Sequence, residues 1–299
     1  MKIRKAVIPA AGFGTRFLPV TKTIPKGMIP VVAKPVMQYV VEEAVTAGIE
    51  QIILVTSANC KPLEDYFDHN FELEAVLERT GKVRQLEEIR RLVHLADFAY
   101  VRQTEQLGNG HAVLVARDVV GNEPFAVLWG DDILLGTPPV VRQLIDVAEQ
   151  HEGPVVGVKR VPPSDFEKYG MLAVEPLGGD DDGGRTTRAI RVVEKPPRDE
   201  SPSDLAQIGG FVLTPDVFDI LESTPRGGGG EIWLADALCE LMTRRTVYAH
   251  EFEGTRYDAG NKLDFLRATV ELALEDPDLG PRFRDYLASL DLSAVASRS

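Results

Sequence analysis

Apolar residues along this chain fall into two alternating patterns. Runs such as KAVIPA and QIILVTS are apolar almost throughout, whereas PVMQYVVEEAVTAG repeats apolar positions at helical spacing and ends at Gly48. The first pattern predicts strands buried on both faces, the second a helix with one face in a core. CKPLEDYFD opens a helical region, and residues 72–95 read as amphipathic helix broken near Gly81, their charges forming a solvated face. FAYVRQ is then a strand, GNGHAVLVARDVV a glycine-led helix, PFAVLWGDD an apolar strand ending in acids, and PPVVRQLIDVAEQHEG a further helix. This alternation predicts an α/β fold of βαβ units with right-handed crossovers around a mostly parallel sheet.

After residue 154 the texture changes. PVVGVKRV, YGMLAVEP and AIRVVEKP read as strands, with GGDDDGG (178–184) as a hairpin tip by composition. GGFVLTPDVF is a strand leading to a helix, STPRGGGG a flexible loop, EIWLADALCELMTRR a helix and VYAHEFEGTRYDAG a strand running into a loop. From Lys262 onward the pattern is mostly helical, and residues 291–299 are expected to fray. There is no internal repeat and no linker long enough to separate domains. The expected organisation is one catalytic domain, residues 1–270, with a C-terminal helical extension and tail, 271–299.

Charge narrows the range of partners. Lys plus Arg number 33 and Asp plus Glu 46, a formal net charge of −13, which argues against nucleic acid or an anionic membrane surface. An anionic ligand can still bind where cations gather locally, and Arg16, Lys22 and Lys26 gather beside the first glycines. The two cysteines, Cys60 and Cys239, have no metal-ligand spacing and read as free thiols of a reducing compartment. The first residues lack the apolar stretch of a signal peptide, and no apolar run approaches the roughly 18 residues of a membrane span. The expected location is cytoplasmic.

Ligands of such sheets sit at the carboxyl ends of strands, where AAGFGTR, VRQ and GDD all fall. GFGTRF is not a dinucleotide fingerprint, because Phe17 occupies the third glycine position, and no GK[ST] follows to make a P-loop. Backbone N–H groups of residues 11–14, Gly14 among them, can nevertheless line an anion-binding concavity, with Arg16 and Lys26 adding mobile cations. That combination suits a triphosphate; a purely structural turn is the alternative. LWGDD delivers Asp131 and Asp132 to a strand end where Mg²⁺ could take one or two carboxylates, phosphate oxygens and waters. An Asp-rich turn is the competing reading, and Asp258 in YDAG offers a second carboxylate. In RVVEKPP, Glu194 and Lys195 point to opposite faces of a strand end, either to meet a sugar and its phosphate or as a surface charge pair.

Taken together the stretches are far more specific. AAGFGTRFLPVTKTIPKGMIPVVAKPVMQYVVEEAVTAGI, VRQTEQLGNGHAV, FAVLWGDD, KYGMLAVE, VEKP, IGGFVLTPDVFDILE, GGEIWLADAL and RYDAGNK occur in one order with family-like spacing. Over residues 4–270 the chain resembles the bacterial UTP–glucose-1-phosphate uridylyltransferase family of the sugar nucleotidyltransferase superfamily. The resemblance implies a Rossmann-like mixed sheet with helices on both faces and a sugar-binding part within about 154–260. It also implies a Mg²⁺-dependent attack of a sugar 1-phosphate on the α-phosphorus of a nucleoside triphosphate, UTP with glucose 1-phosphate, giving UDP-glucose and pyrophosphate. By that resemblance Ala11 and Gly12, with Gln103 and Gly108, would hold the base; Arg16 would bind the departing pyrophosphate and Lys26 the phosphates at the reacting centre. Asp131 and Asp258 would bind Mg²⁺; Gly170, Glu194 and Gly209 would contact the sugar, and Lys195 its phosphate. The family also implies a homodimer or homotetramer, with the helical region 262–290 as a contact or simply packed on its own sheet.

Several positions depart from the family pattern. KEMLP is KGMIP here, placing Gly27 where a nucleoside-side glutamate is usual. LGLGHA is LGNGHA (Asn109), EIQLTDA is EIWLADA (Trp233 and Ala235), VGRY is IGGF (Gly210 for arginine) and RYDCGDK is RYDAGNK (Asn261). Phosphate and metal residues are kept while the changes cluster around base and sugar selection. A relative using a different base or sugar, dTTP for example, is therefore the competing enzyme reading. A catalytically silent, regulatory paralogue is the reading from another class.

Overall fold

The structure is a computed structural model that describes residues 1–58, 60–178 and 183–291. Most of the expected hairpin tip and the last eight residues, 292–299, lie outside the described residues.

Among the described residues thirteen strands form. In the first half they are β1 (Lys5–Pro9), β2 (Pro30–Val31), β3 (Lys34–Pro35), β4 (Gln51–Thr56), β5 (Asp97–Arg102), β6 (Phe125–Val127) and β7 (Asp132–Leu135). In the second half they are β8 (Val155–Arg160), β9 (Gly170–Pro176), β10 (Thr186–Glu194), β11 (Leu205–Leu213), β12 (Val247–Glu251) and β13 (Thr255–Asp258). Nine of them make one sheet in the order β5-β4-β1-β6-β11-β8-β12-β10-β9. The sheet is mixed and α/β, as expected, but the parallel and antiparallel pairings between neighbours in that order are equal in number rather than mostly parallel. Its parallel pairings join β5, β4, β1 and β6, and again β8 with β12. The remaining neighbours run antiparallel, β11 against β6 and β8, and β10 against β12 and β9.

The central strands of the sheet are buried on both faces, which is why β1, β4 and β6 are apolar through their middles. Val7, Ile53, Phe125 and Val127 face one layer, where the Phe125 ring stacks on Phe218 with centroids 5.0 Å apart. Ala6, Ile8, Ile52, Leu54 and Ala126 face the other, against Met37, Val40, Val41 and Ala44 of the helix Val36–Thr46. The period of two has sorted one apolar run into two cores.

Local departures from the sequence reading have physical causes. PFAVLWGDD is not one strand: β6 ends at Val127, a turn closes by a 3.2 Å bond from Asp132 N–H to Trp129 carbonyl, and Asp132 opens β7. That turn packs tightly, since a Cβ on Gly130 would lie 2.8 Å from Met37 Cε and 3.0 Å from the Pro9 carbonyl. β7 pairs instead with β13, aligning Asp132 with Asp258. VYAHEFEGTRYDAG likewise holds two strands, β12 and β13, around Gly254, whose φ of +131° reverses the chain. The glycine-led helix is split into Asn109–Leu114 and Arg117–Val120. The C-terminal region forms helices Lys262–Glu275 and Gly280–Ser289.

Candidate active site

Two clefts meet at the carboxyl ends of β1 and β6. The first, about 230 Å³, is lined by the glycine loop (Gly12, Gly14, Thr15, Arg16), by Lys26 and Gly27, and by Met37, Gly130 and Asp131. The second, about 310 Å³, is lined among others by Tyr169, Gly170, Glu194, Lys195, Gln207, Trp233, Arg256 and Asp258. Arg16 and Asp131 line both.

At the junction the groups converge. Lys26 Nζ contacts Asp131 Oδ2 directly, and Arg16 Nη1 stands 3.9 Å from Asp258 Oδ2. A Cβ on Gly260 would lie 2.7 Å from Asp131 Oδ2 and 2.8 Å from Asp258 Oδ1, and closer still to Lys26 Nζ. Only glycine leaves room for that gathering. Gly260 N–H also donates to Asp258 Oδ1 at 2.8 Å, fixing one carboxylate oxygen and leaving the other toward the cleft cations. Among the described residues no group of three or more His, Cys, Asp or Glu is placed to enclose a metal. Two carboxylates without a protein cage suit a hard divalent cation that completes its shell with phosphate oxygens and water.

Behind these groups lies a buried pair that sequence reasoning missed. Arg256 Nη2 donates to Asp132 Oδ1 at 2.7 Å and stands 4.0 Å from Asp258 Oδ2. Its guanidinium also lies over the Tyr169 ring, 5.3 Å from the centroid. Burial pushes the Asp132 carboxyl up to about 7, against the pull of Arg256. The sequence could show only that Arg256 and Asp258, two apart on one strand, share a face; nothing local places Asp132 beside them.

On the nucleotide side, strand-end bonds from Ala10 N–H to Val55 carbonyl and Gln103 N–H to Thr56 carbonyl, both 2.8 Å, bring two loops together. Gln103 Nε2 donates to the Gly108 carbonyl at 3.2 Å, and Gln106 Nε2 donates to the Ala11 carbonyl, so Ala11, Gln103 and Gly108 are neighbours. Gly108, at φ +96°, packs its Cα against the Ile232 carbonyl, 2.7 Å from where a Cβ would be. Lys22, expected in the cation cluster, is exposed and lines neither cleft.

On the other side, Gly170 is the first residue of β9, paired with Glu194 at the end of β10. Glu194 Oε2 and the Gln207 amide both crowd the space a Gly170 side chain would take. Burial pushes the Glu194 carboxyl up, with Lys195 pulling it back. The Gln207 Oε1 atom is buried without a hydrogen-bond partner among the described residues. Gly209 sits behind this wall: its Cα faces Phe252 and Gly157, while Ile208 and Phe211 on either side line the cleft. Gly210 has φ +83°, and a Cβ there would lie 2.8 Å from the Val127 carbonyl, so the arginine usual at this position would strain this backbone.

The Nucleotidyl transferase family model matches residues 5–275, and the chain belongs to that family. It is 47% identical over 291 residues to the UTP–glucose-1-phosphate uridylyltransferase of Staphylococcus epidermidis, covering 97% of this chain and 99% of the relative. The Bacillus subtilis enzyme of that name is 47% identical over 289 residues, 97% of each chain. The solved UTP-bound UGPase from Acinetobacter baumannii superposes with a TM-score of 0.90 at 41% identity, covering 97% of this chain and 100% of that one. A UDP-glucose pyrophosphorylase complexed with UDP-glucose gives 0.83 at 39% identity, covering 92% and 100%.

Proposed function

We propose that this chain is a UTP–glucose-1-phosphate uridylyltransferase that makes UDP-glucose and pyrophosphate with Mg²⁺ as its metal. The observation that carries the reading is the meeting of two clefts at Arg16 and Asp131, with Lys26 and Asp258 at the same point. A triphosphate along the glycine loop and a sugar phosphate in the second cleft then approach each other across that junction.

The reaction needs no covalent nucleophile. An anionic oxygen of glucose 1-phosphate forms a bond to the α-phosphorus of UTP as the bond from that phosphorus to the bridging oxygen of the β-phosphate breaks. Pyrophosphate leaves with the electron pair. Positioning and charge neutralisation carry the step. Lys26 faces the phosphates at the reacting centre, and the exposed Arg16 follows the departing pyrophosphate. Lys195 receives the sugar phosphate, Glu194 accepts hydrogen bonds from sugar hydroxyls, and Gly170, by lacking a side chain, lets Glu194 and Gln207 close in beside the sugar. Gly12 and Gly14 line the first cleft and take the phosphates, while Ala11, Gln103 and Gly108, which line neither cleft, frame the base from behind. Asp131 and Asp258 would hold the Mg²⁺, which when bound neutralises phosphate charge and orients the triphosphate.

The test is pyrophosphate release over a grid of nucleoside triphosphates and sugar 1-phosphates, with and without chelator. UTP with glucose 1-phosphate should give the highest kcat/KM, and chelation should abolish turnover until Mg²⁺ is restored. A higher kcat/KM with dTTP or with another sugar phosphate overturns the assignment. We also assign a cytoplasmic homo-oligomer, read by light scattering of the purified chain; a monomer at all concentrations rejects the second half of that statement.

A further inference from the structure

Lys195 is held in an uncommon way. Its φ is +47°, in the left-handed region, and its N–H donates to the Tyr169 carbonyl at 3.1 Å, which fixes the backbone where β10 ends. The side chain is half-exposed, and its Nζ stands 3.7 Å from Glu194 Oε1 and 5.5 Å from the centroid of the Trp233 ring. A lysine stem has four rotatable bonds, so a fixed backbone alone does not aim the ammonium.

The backbone on either side of the ring is well anchored. Trp233 directly precedes the helix Leu234–Arg244, and its neighbours are tied to the base-side loop by three bonds. Ile232 N–H donates to the Leu107 carbonyl at 2.7 Å, Gly110 N–H to the Ile232 carbonyl at 2.9 Å, and Leu234 N–H to Asn109 Oδ1 at 2.9 Å. On its other edge the indole packs beside Gly227, where a Cβ would lie 3.3 Å from Trp233 Cδ1. A rigid π face thus stands beside a mobile cation in the same cleft.

We propose that Trp233 is a positioning residue for the reaction. Its indole seats the Lys195 ammonium over the sugar-side cleft, so that an incoming sugar phosphate meets a cation already aimed. The inference rests on the reading above that Lys195 receives the sugar phosphate. Where the family pattern has a polar side chain at this position, this chain uses an aromatic seat.

The test is steady-state kinetics on the full chain carrying Trp233→Leu, Trp233→Phe, Lys195→Met and Trp233→Leu with Lys195→Met. Trp233→Leu should raise KM for glucose 1-phosphate about 3- to 10-fold, the range a cation–π contact commands, with the UTP KM changed less than about twofold. Trp233→Phe should recover most of the loss. In the Lys195→Met background Trp233→Leu should add less than about twofold, because the two residues act through one contact. Losses that multiply in the double variant, or a UTP effect as large as the sugar-phosphate effect, overturn the proposal. Trp233→Gln, the residue of the family's EIQLTDA stretch, serves the same comparison if the leucine variant does not fold. A Lys195→Met enzyme whose UTP KM alone moves rejects the placement of Lys195, and the proposal with it; that result is distinct from multiplicative losses, which leave Lys195 in place.

Discussion

Asp131 sits in the turn just before β7 and Asp258 ends β13, two strands that pair with each other outside the main sheet, and their oxygens meet beside Gly260. Replacing either carboxylate by its amide keeps shape and removes charge. Asp131→Asn and Asp258→Asn should each lower kcat by roughly 100-fold or more, with the melting temperature little changed, because the loss falls on charge neutralisation at the reacting phosphates. Near-normal turnover in both at saturating Mg²⁺ would sink the metal assignment. Gly27 is a subtler case. It borders the nucleotide-side cleft, and a Cβ there would sit 3.1 Å from Met37 Cε and 3.4 Å from the Gly130 carbonyl. A glutamate therefore fits only if the flexible Met37 tip yields. Where it does, the carboxylate can accept from a ribose hydroxyl, which glycine cannot. Gly27→Glu should raise the UTP/dUTP ratio of kcat/KM by about 5-fold, the worth of one hydrogen bond near 1 kcal/mol. An unchanged ratio means that residue 27 does not read the ribose.

At the scale of elements, Asn109 shows how a departure from the family pattern can be structural. The residue lies in the expected base-reading turn, but its Oδ1 accepts from Leu234 N–H at 2.9 Å and so satisfies an unpaired donor at the start of the helix Leu234–Arg244. Asn109→Ala should cost about 1 kcal/mol, the usual worth of such a cap, lowering the melting temperature by roughly 2 °C. A KM for UTP that moves with no thermal change would instead make Asn109 a base-reading side chain. This bond was not legible in the sequence, because it joins residues 125 positions apart. What was legible follows period and punctuation: the apolar strands, the helix breaks at Gly48 and Gly81, and the convergence of the glycine loop with Asp131. What was not legible depends on pairing at a distance. WGDD read as one strand because nothing local says that Asp132 will pair with Asp258. The Arg256–Asp132 ion pair and the partnerless Gln207 carbonyl were hidden for the same reason.

At the scale of the whole molecule, one largely buried carboxylate joins distant parts of the α/β framework. Glu43, on the helix Val36–Thr46, accepts from Val141 N–H at 3.1 Å, at the first turn of the helix Val140–His151. The donors there favour its charged form, but burial prevails and pushes the carboxyl up to about 7. The sign of the effect on stability follows. Between the ordinary carboxylate range and about 7, the folded chain holds a proton that the unfolded chain has released. Stability is therefore greatest at the acid end of that window and falls as pH rises through it, by at most roughly 3 kcal/mol. Glu43→Gln keeps an oxygen to accept from Val141 and removes the charge. The variant should melt within about 1 °C of the parent at pH 5 and several degrees above it at pH 8, roughly 2–4 °C for each kcal/mol relieved. Parent and variant are compared at each pH so that other titrating carboxyls cancel. Parallel melting curves at both pH values would show that Glu43 does not carry the proton, and a variant less stable at pH 8 would show that its charge supports the helix.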